Sequence, residues 1–522
     1  MTQSNQAEFG KFRSFFWPVH HFELKKILPM FLMFFFISFN YTILRDLKDS
    51  LVVSAAGAEA LPYLKLWGTV PAAFIFMIIY SKLSNILSKK NLFYVTILPF
   101  ILFFGAFATV IYPNRALMQP TTSADFFQSF LAGWFGEGSA ATIGVSGCFR
   151  HWTYSLFYIL SELWGSAVLS LLFWGFANDI MRISEAKRVY SLLGIGANVA
   201  LLISGPTVMY FSHIRDRLPP EVDALHVTLN SLMGMFVLAG LAVMAIYWWM
   251  QRNVLTDPKL YDPKDVKKKK DKPKLSLKDS FLYLARSRYI LSIAVLVICY
   301  GICINLVEVT WKSKIKEQFT NANDYNTFMG GLSFLTGAAT IFMMFIGGYI
   351  IRSKGWKSGA MLTPTILLAT GVGFFAFVIF QNELAGIISL VGTTPLFLAV
   401  LIGLAQNIMS KSTKYSLFDP TKEMAYIPLD QEQKVKGKTA IDVVGARMGK
   451  AGGAVIYNIL FLFGPLAVLA PYVAATMIGV IIAWMAAVRA LNKRFIALTS
   501  EEVPEERETT AAEEPAAVQA AT

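Results

Sequence analysis

The sequence has little of what disulfide-stabilised or metal-dependent proteins need. Its three cysteines, Cys148, Cys299 and Cys303, form no C-x-x-C pair, and its five histidines show no metal-ligand spacing. We therefore expect no disulfide, no metal site and no cofactor. Charged residues are also few, at 16% of the chain, whereas 55% of residues are apolar and 14% are aromatic. This balance exceeds that of a soluble domain and predicts a polytopic membrane protein.

Long apolar runs divide the chain into two sets of predicted membrane helices. A helix that spans a bilayer needs about 20 apolar residues. Runs of this kind predict twelve helices, at 27–47, 61–87, 92–112, 153–178, 189–211, 227–250, 289–311, 326–351, 359–380, 394–412, 439–463 and 465–491. We therefore expect an all-α polytopic membrane protein with two pseudo-symmetric six-helix halves of the major-facilitator-like type.

The connections complete the predicted domain organisation. The N-terminal half spans 27–250 and the C-terminal half 289–491, and the basic linker 251–288 joins them. A polar segment, 1–26, precedes them, and the first apolar run shows no cleavage site for a signal peptide. The tail 492–522 is acidic and lacks apolar periodicity, which predicts a disordered cytoplasmic segment. The positive-inside rule explains the basic charge of the linker, and a contact with anionic lipid is the alternative explanation.

Lysine and arginine in the connections predict the orientation. They concentrate in the N-terminal segment, in the even-numbered connections and after the last helix, so both termini are predicted to be cytoplasmic. Three lysines, Lys312, Lys314 and Lys316, lie on the side that this rule disfavours. We interpret them either as a rim that attracts an anionic ligand or as a local exception to the rule.

One apolar stretch, 153–178, contains a single carboxylate, Glu162. A carboxylate inside a membrane helix is costly unless it faces a partner or a water-filled cavity, so a functional site is the first hypothesis. A structural ion pair between helices is the alternative.

Polar residues interrupt the predicted helices of both halves. In the first half they include Arg45, Lys48 and Lys65, and in the second half Asn305, Glu308, Arg447 and Lys450. Membrane helices tolerate such residues toward a partner or a cavity. Because basic and acidic groups alternate, we predict a cavity that accepts a large anion with polar handles, and not an apolar drug.

Catalysis by nucleotide hydrolysis is not supported by the motifs. The stretch GARMGKA places Gly445 and Gly449 one residue too close for a phosphate-binding loop, and Ala451 stands where a hydroxyl is needed. In EQKVKGKT, Glu432 stands at the position of the first glycine. We therefore predict no catalytic residues and no enzyme.

Several stretches together resemble the ATP/ADP translocases of plastids and obligate intracellular bacteria, over about residues 27–491. They include LRDLKDSLVV at 44–53, SELWGSAVLSLLFWGFAN at 161–178, INLVEVTWKSKIK at 304–316 and KYSLFDPTKEMAYIPLD at 414–430. The resemblance implies an antiporter that imports ATP and returns ADP, with inorganic phosphate as a further candidate partner. It also implies the inner membrane of an intracellular bacterium or of a plastid. Nucleic acid is not an expected partner.

The resemblance also implies site residues. Four charged positions that are considered essential in this family are occupied by identical residues here: Lys65, Glu162, Glu308 and Lys450. We expect Lys65 and Lys450 to bind nucleotide phosphates. The two glutamates are expected to neutralise lysines in the empty site or to accept hydrogen bonds from ribose or adenine.

Further residues are candidates for the rest of the site. Arg45, Lys48 and Arg447 are expected to extend the cationic lining, with snorkelling as the alternative for the first two. Asn305 is a candidate for a hydrogen bond to a polar group of the substrate. Three aromatic residues are candidates for stacking on adenine, with core packing as the alternative: Tyr158, Trp164 and Trp311.

Two other functions stay open from the sequence. A proton-coupled nucleotide symporter of the same family would be inhibited by a protonophore. A channel on the same fold would lack saturable counter-exchange, and a receptor would transport nothing. Nucleotide preference is not predicted, because Arg447 departs from the less charged pattern of plastid members.

Overall fold

The computed structural model describes residues 19–258, 260–261, 287–390, 392–429, 433, 437–438, 441 and 445–518. For some helical residues, among them 446–447, 450 and 499–518, the structure describes the backbone but not the side chain. Within these residues the chain forms helices and turns without strands. The all-α prediction is confirmed.

The N-terminal part of the chain forms long apolar helices with two shorter amphipathic ones between them. In chain order they are α1 (Leu24–Ala56), α2 (Ala60–Ile86), α3 (Lys89–Ile111), α4 (Thr121–Phe135), α5 (Ala140–Arg150), α6 (Trp152–Ile180), α7 (Ile183–Ser212) and α8 (Ala224–Asn253). Single helical turns lie at His21–Glu23, Arg115–Met118 and His213–Arg217.

The C-terminal part continues with α9 (Arg288–Gln318), α10 (Ala322–Ile379), α11 (Gln381–Ser389), α12 (Pro395–Met424), α13 (Ala446–Leu460) and α14 (Leu466–Val518). Helix α10 is interrupted at Gly355, whose φ of 77° lies in the left-handed region that glycine adopts without steric cost. Helix α14 runs on through most of the acidic tail. The many Glu and Ala residues of this tail have high helix propensity, which favours a helical backbone even without apolar periodicity.

Ten helical segments of the described chain are long and apolar enough to cross a membrane. One of them, α10, contains the break at Gly355 and covers two of the predicted spans. The predicted span 439–463 is described as a helix only from Ala446, and its apolar part, Ala451–Leu460, is short. The polytopic all-α class is therefore confirmed, whereas the count of twelve helices is not.

In the described part of the chain, the long helices contain four continuous stretches of π-helix, a conformation that recurs at functional sites. They are Leu64–Thr69, Phe107–Ile111, Gly165–Phe173 and Lys414–Phe418. The first contains Lys65, and the third begins three residues after Glu162. Two of the sequence-predicted residues thus lie at or beside a widened helical turn.

The helices group into two compact units. The first comprises Met1–Lys270, Val309–Ile341 and Tyr457–Leu469, and the second comprises Asp271–Glu308, Phe342–Ile456 and Ala470–Thr522. In the first unit, an aromatic cluster of Phe104, Phe157, Trp164 and Phe236 is fully buried, with ring centroids 4.9–5.0 Å apart. Asn40 of α1 donates a hydrogen bond to the Phe236 carbonyl of α8 at 3.0 Å, and thereby ties two helices across this core.

Glycines allow the closest helix contacts within each unit. A Cβ at Gly205 would lie 2.6 Å from the carbonyl oxygen of Gly330 in the first unit. In the second unit, a Cβ at Gly301 would lie 2.6 Å from the backbone carbon of Gly449. Such small-residue contacts are the usual means by which membrane helices approach each other.

Candidate functional site

The end of helix α1 carries a buried lysine at the centre of the candidate site. The ammonium of Lys48 lies 2.9 Å from a carboxylate oxygen of Asp49 and 3.1 Å from one of Glu162 on α6. It also lies 4.0 Å from the centre of the Tyr158 ring, a cation–π distance. The Lys48 side chain is 4% exposed. Snorkelling to the membrane surface is therefore wrong for Lys48.

Asp49 extends this contact to a second buried lysine. Its other carboxylate oxygen accepts a hydrogen bond from the ammonium of Lys312 on α9, at 2.7 Å. Glu162, Lys48, Asp49 and Lys312 thus contact one another in this order, and we call these four side chains the ion-pair chain. It contains two cations and two anions, and this balance is what allows the charges to be buried. The Lys312 side chain is 1% exposed, so it does not form part of an open rim.

A second polar cluster lies one helical turn earlier on α1. The Arg45 guanidinium donates to the hydroxyl oxygen of Ser333 at 2.8 Å, and the Ser333 hydroxyl donates to the Asp46 carboxylate at 2.6 Å. Arg45 also contacts Asp46 directly at 3.3 Å. The Asp46 side chain is fully buried. Arg45 is therefore held by polar partners within the protein.

The three aromatic candidates are buried. The Trp164 indole donates to the Ile37 carbonyl at 3.2 Å and packs in the aromatic core. The Trp311 ring lies 5.9 Å from that of Phe328. Tyr158 presents its ring to the Lys48 ammonium. The contacts of the two tryptophans are those of core packing, the alternative that the sequence left open.

Lys65 lies in the same unit, on the π-helical stretch of α2. Its side chain is half-buried. Three residues later, a Cβ at Gly68 would lie 2.8 Å from the side chain of Ile159 on α6. Helix α2 therefore packs closely on α6 one turn away from Lys65, and α6 is the helix that carries Tyr158 and Glu162.

The second unit contains four of the predicted residues, and Glu308 and Asn305 are two of them. Glu308 is half-buried on α9, and the buried Asn305 lies three residues before it. The Asn305 amide donates to the Gly301 carbonyl at 2.8 Å. A Cβ at Gly453 of α13 would lie 2.5 Å from the Cβ of Asn305, so α13 packs directly on this face of α9.

Helix α13 also carries Arg447 and Lys450. Their backbone is helical, and their side chains lie outside the described residues. The position of Lys450 is nevertheless informative, since it lies between Gly449 and Gly453. A Cβ at Gly449 would meet the Val297 carbonyl at 3.1 Å. The glycines around Lys450 therefore hold its helix against α9.

Sequence reasoning did not select some polar residues that the structure places in these clusters. Asp49 and Ser333 complete the contacts of the α1 charges, together with Lys312, which the sequence analysis offered only as part of a rim. In the second unit, Lys414 pairs with Asp419 at 2.9 Å in the π-helical stretch of α12. Asp49 belongs to the motif LRDLKDSLVV, and Lys414 and Asp419 belong to the motif KYSLFDP. A systematic search of those motifs for charges inside apolar runs would have found Asp49 and Lys414.

A cavity of about 350 Å³ lies elsewhere, and Asp125, Gln128, Ser129, Ala132 and Glu137 line it. Two carboxylates make it unsuitable for a polyanion, and it contains none of the predicted residues. In the described part of the chain, no group of three or more His, Cys, Asp or Glu side chains could hold a metal ion.

Solved structures with a similar backbone are transporters. A bacterial homologue of the iron transporter ferroportin, in an inward-facing state, matches with a TM-score of 0.54 at 12% identity, over 92% of this chain and 99% of that one. A variant of the nucleoside transporter NupG matches with a TM-score of 0.51 at 10% identity, over 89% and 99% of the two chains. These likenesses concern the fold alone. The apolar helices and this fold define a polytopic helical membrane protein.

The sequence itself gives the family. Residues 2–495 match the family described as TLC ATP/ADP transporter. The chain belongs to this family. It is 55% identical to ADP,ATP carrier protein 1 of Chlamydia muridarum, over 100% of this chain and 98% of that protein.

More distant relatives carry similar names. Identity is 51% to ADP,ATP carrier protein 2, chloroplastic, of Arabidopsis thaliana, over 92% of this chain and 76% of that protein. It is 42% to ADP,ATP carrier protein 1 of Rickettsia bellii, over 96% and 99% of the two chains. The resemblance to translocases of plastids and intracellular bacteria is confirmed.

Proposed function

We propose that this protein is an antiporter that exchanges external ATP for internal ADP by alternating access. Membership of the TLC ATP/ADP transporter family supports this function, as do the names of the relatives. The structural observation that carries the proposal is the buried contact of Lys48 with Asp49 and Glu162, deep in an apolar helix bundle. Charges buried at this cost in membrane helices mark substrate pathways by default.

The charge of the substrate matches these side chains. ATP and ADP carry about three to four negative charges on their phosphates at neutral pH. Lysine and arginine bind phosphate oxygens through charge-assisted hydrogen bonds. In this proposal Lys65 and Lys450 contact the phosphates first, and Arg45, Lys48 and Arg447 extend the cationic lining. Inorganic phosphate would use the same groups.

The carboxylates have a separate role in the proposal. Glu162 and Glu308 cannot bind phosphates directly, because like charges repel. They compensate the cations while the nucleotide is absent, as Glu162 does for Lys48 at 3.1 Å. Asn305 and the neighbouring Glu308 are candidates for hydrogen bonds to ribose or to the adenine amine. Tyr158 is a candidate for adenine stacking only when the Lys48 ammonium leaves its ring face.

Exchange follows when the loaded carrier changes its facing state more readily than the empty one. A ligand drives such a change only through its different affinity for the states. Ion pairs that hold the empty protein in one state, and that phosphates replace, would supply this difference. No hydrolysis is needed, so the protein acts as a carrier and not as an enzyme. We place it in the cytoplasmic membrane of a bacterium or in a plastid inner envelope, with both termini cytoplasmic.

The test is substrate competition in reconstituted vesicles. Uptake of labelled ATP into ADP-loaded vesicles should be saturable, and ATP and ADP should compete with it better than AMP, GTP, CTP, NAD or inorganic phosphate. A protonophore should leave the uptake unchanged. Inhibition by the protonophore would favour the proton-coupled symporter, and the lack of any uptake would favour a receptor.

A further inference from the structure

Asp49 makes two contacts that resemble those of a phosphate group. One of its carboxylate oxygens lies 2.9 Å from the Lys48 ammonium, and the other lies 2.7 Å from the Lys312 ammonium. The Asp49 side chain is 2% exposed, and the two lysines are 4% and 1% exposed. Two buried ammonium groups that converge on one pair of anionic oxygens form an arrangement that would equally accept a phosphate.

These contacts also tie the end of α1 to residues far away in the sequence, all within the first unit. Asp49 reaches Lys312 of α9, and the Ser50 hydroxyl donates to the Ala322 carbonyl at 3.1 Å. Arg45 and Asp46 both contact Ser333 of α10. The Asp49–Lys312 contact is the ion pair in this set. Its loss would remove an ion pair that joins α1 to the segment Val309–Ile341.

We propose that Asp49 is an internal substitute for the nucleotide phosphates, and that Lys312 belongs to the phosphate-recognising residues. In the empty carrier Asp49 holds Lys48 and Lys312. An entering polyphosphate competes for these ammonium groups and displaces the carboxylate, which releases α1 from Lys312. This inference rests on the proposed nucleotide exchange and names the residues that couple it to a conformational change.

The proposal predicts effects of opposite sign for the two partners. Asp49→Asn removes the competitor of the substrate, so ATP and ADP should bind about tenfold more tightly, at the lower end of what a charge-assisted hydrogen bond supplies. Lys312→Gln removes a phosphate ligand and should weaken the binding of both nucleotides by a similar factor. A merely structural pair would instead weaken binding in both variants. Equilibrium binding of labelled ATP to the purified full-length protein measures this.

A second readout is the ratio of ATP uptake into ADP-loaded and into empty vesicles. Without the Asp49–Lys312 pair the empty carrier is no longer held, so this ratio should fall by about tenfold, equivalent to about 1.4 kcal/mol. The double variant Asp49→Asn/Lys312→Gln keeps the net charge of the ion-pair chain at zero. It therefore avoids the unpaired buried charge that could unfold either single variant.

An exposed pair in the same unit provides the matched control. Arg215 and Asp324 lie 2.9 Å apart, with side chains 42% and 51% exposed. Exposed ion pairs contribute little. The double variant Arg215→Gln/Asp324→Asn should therefore keep the uptake ratio and the nucleotide affinity of the unmodified protein.

The outcomes separate this inference from the proposed function. If the unmodified protein shows no exchange, the proposed function fails. If it exchanges ATP for ADP, and Asp49→Asn/Lys312→Gln keeps the full uptake ratio, the phosphate-substitute role of Asp49 is wrong while the function stands. Unchanged or weaker ATP binding by a folded Asp49→Asn protein would also overturn it.

Discussion

The Lys48 ammonium and a Glu162 carboxylate oxygen lie 3.1 Å apart, between α1 and α6. Each would be costly alone in an apolar bundle, and each compensates the other, while Asp49 offers the Lys48 ammonium a second carboxylate. The contact therefore accounts for the burial of Lys48 and the partial burial of Glu162, and it makes the energetic dependence of the two residues mutual.

This mutual dependence is testable by thermal unfolding in detergent. Lys48→Gln and Glu162→Gln should each lower stability by up to about 3–5 kcal/mol, because each breaks the ion pair between α1 and α6. The double variant should be less destabilised than the sum of the two, with a coupling of about 0.5–3 kcal/mol. The exposed pair Lys89–Asp179, 2.7 Å apart, is the control and should show little coupling. Additive losses at Lys48 and Glu162 would contradict the pairing.

The role of Lys450 is tested by nucleotide affinity. If its ammonium contacts phosphate, Lys450→Ala should weaken ATP and ADP binding by about 1.5–3 kcal/mol. Lys450→Arg should recover only part of the loss, because a planar fork replaces a compact charge. Lys438→Ala is the control, since Lys438 is an exposed lysine paired with Glu423 in the same unit. Normal ATP binding by a folded Lys450→Ala protein would rule out the phosphate contact.

The glycine contact between α9 and α13 supports Lys450 and is testable separately. A Cβ at Gly301 would lie 2.6–3.0 Å from three backbone atoms of Gly449, which cannot move aside as a side chain can. Gly301→Ala should lower stability by about 1–3 kcal/mol and weaken ATP binding through displacement of α13.

Gly479→Ala is the matched control, because nothing lies within 4 Å of a Cβ at that helical position. That substitution should leave binding intact and raise stability slightly, since alanine restricts the unfolded chain. Equal effects of the two substitutions would show that the α9–α13 contact is not as close as described.

Stability at mildly acidic pH should depend on His151, which precedes α6. Burial lowers the pKa of His151 below its ordinary value, and Arg150 and Lys316 lower it further. Its Nδ1 lies 3.2 Å from the Gln119 amide nitrogen, which suits a neutral ring that accepts a hydrogen bond. Because the folded state binds the proton less readily than the unfolded state, the contribution of His151 is complete above the ordinary pKa of about 6.5. This stabilising contribution is lost as the pH falls from the ordinary histidine pKa to the lowered pKa of His151 in the folded protein.

The measurement compares unfolding temperatures at pH 7.5 and at about pH 5.5, below the ordinary histidine pKa. His151→Gln should reduce the difference between the two temperatures. His213→Gln, at an exposed turn, controls for the loss of a histidine. An unchanged pH difference in the His151 variant would contradict the assignment.

The sequence predicted the all-α membrane class, because the length of apolar runs follows directly from the thickness of the bilayer. It also identified Glu162 as a costly residue, since it interrupts an apolar run, and Lys48 as a candidate at the end of the first predicted helix. It could not predict that Glu162 meets Lys48, because residues more than a hundred positions apart are brought together only by the packing of α1 on α6.

Other features were beyond pattern reasoning for a similar reason. The burial of Lys312 depends on a contact with Asp49 across 263 positions, whereas its local sequence resembles an exposed basic cluster. Local sequence left stacking on a ligand and packing in a core both open for Trp164, and its burial against Phe236 and its hydrogen bond to Ile37 are contacts of core packing. Long-range partners therefore decided the roles that local composition left open.

The most direct test of nucleotide exchange is a double-label count in reconstituted vesicles. Vesicles loaded with labelled ADP receive external ATP that carries a different label, and the two fluxes are measured together. Exchange predicts that ADP leaves only when external ATP or ADP is present, and that about one ADP leaves for each ATP that enters. ADP efflux without external nucleotide, or equal ATP entry into empty and loaded vesicles, would contradict it.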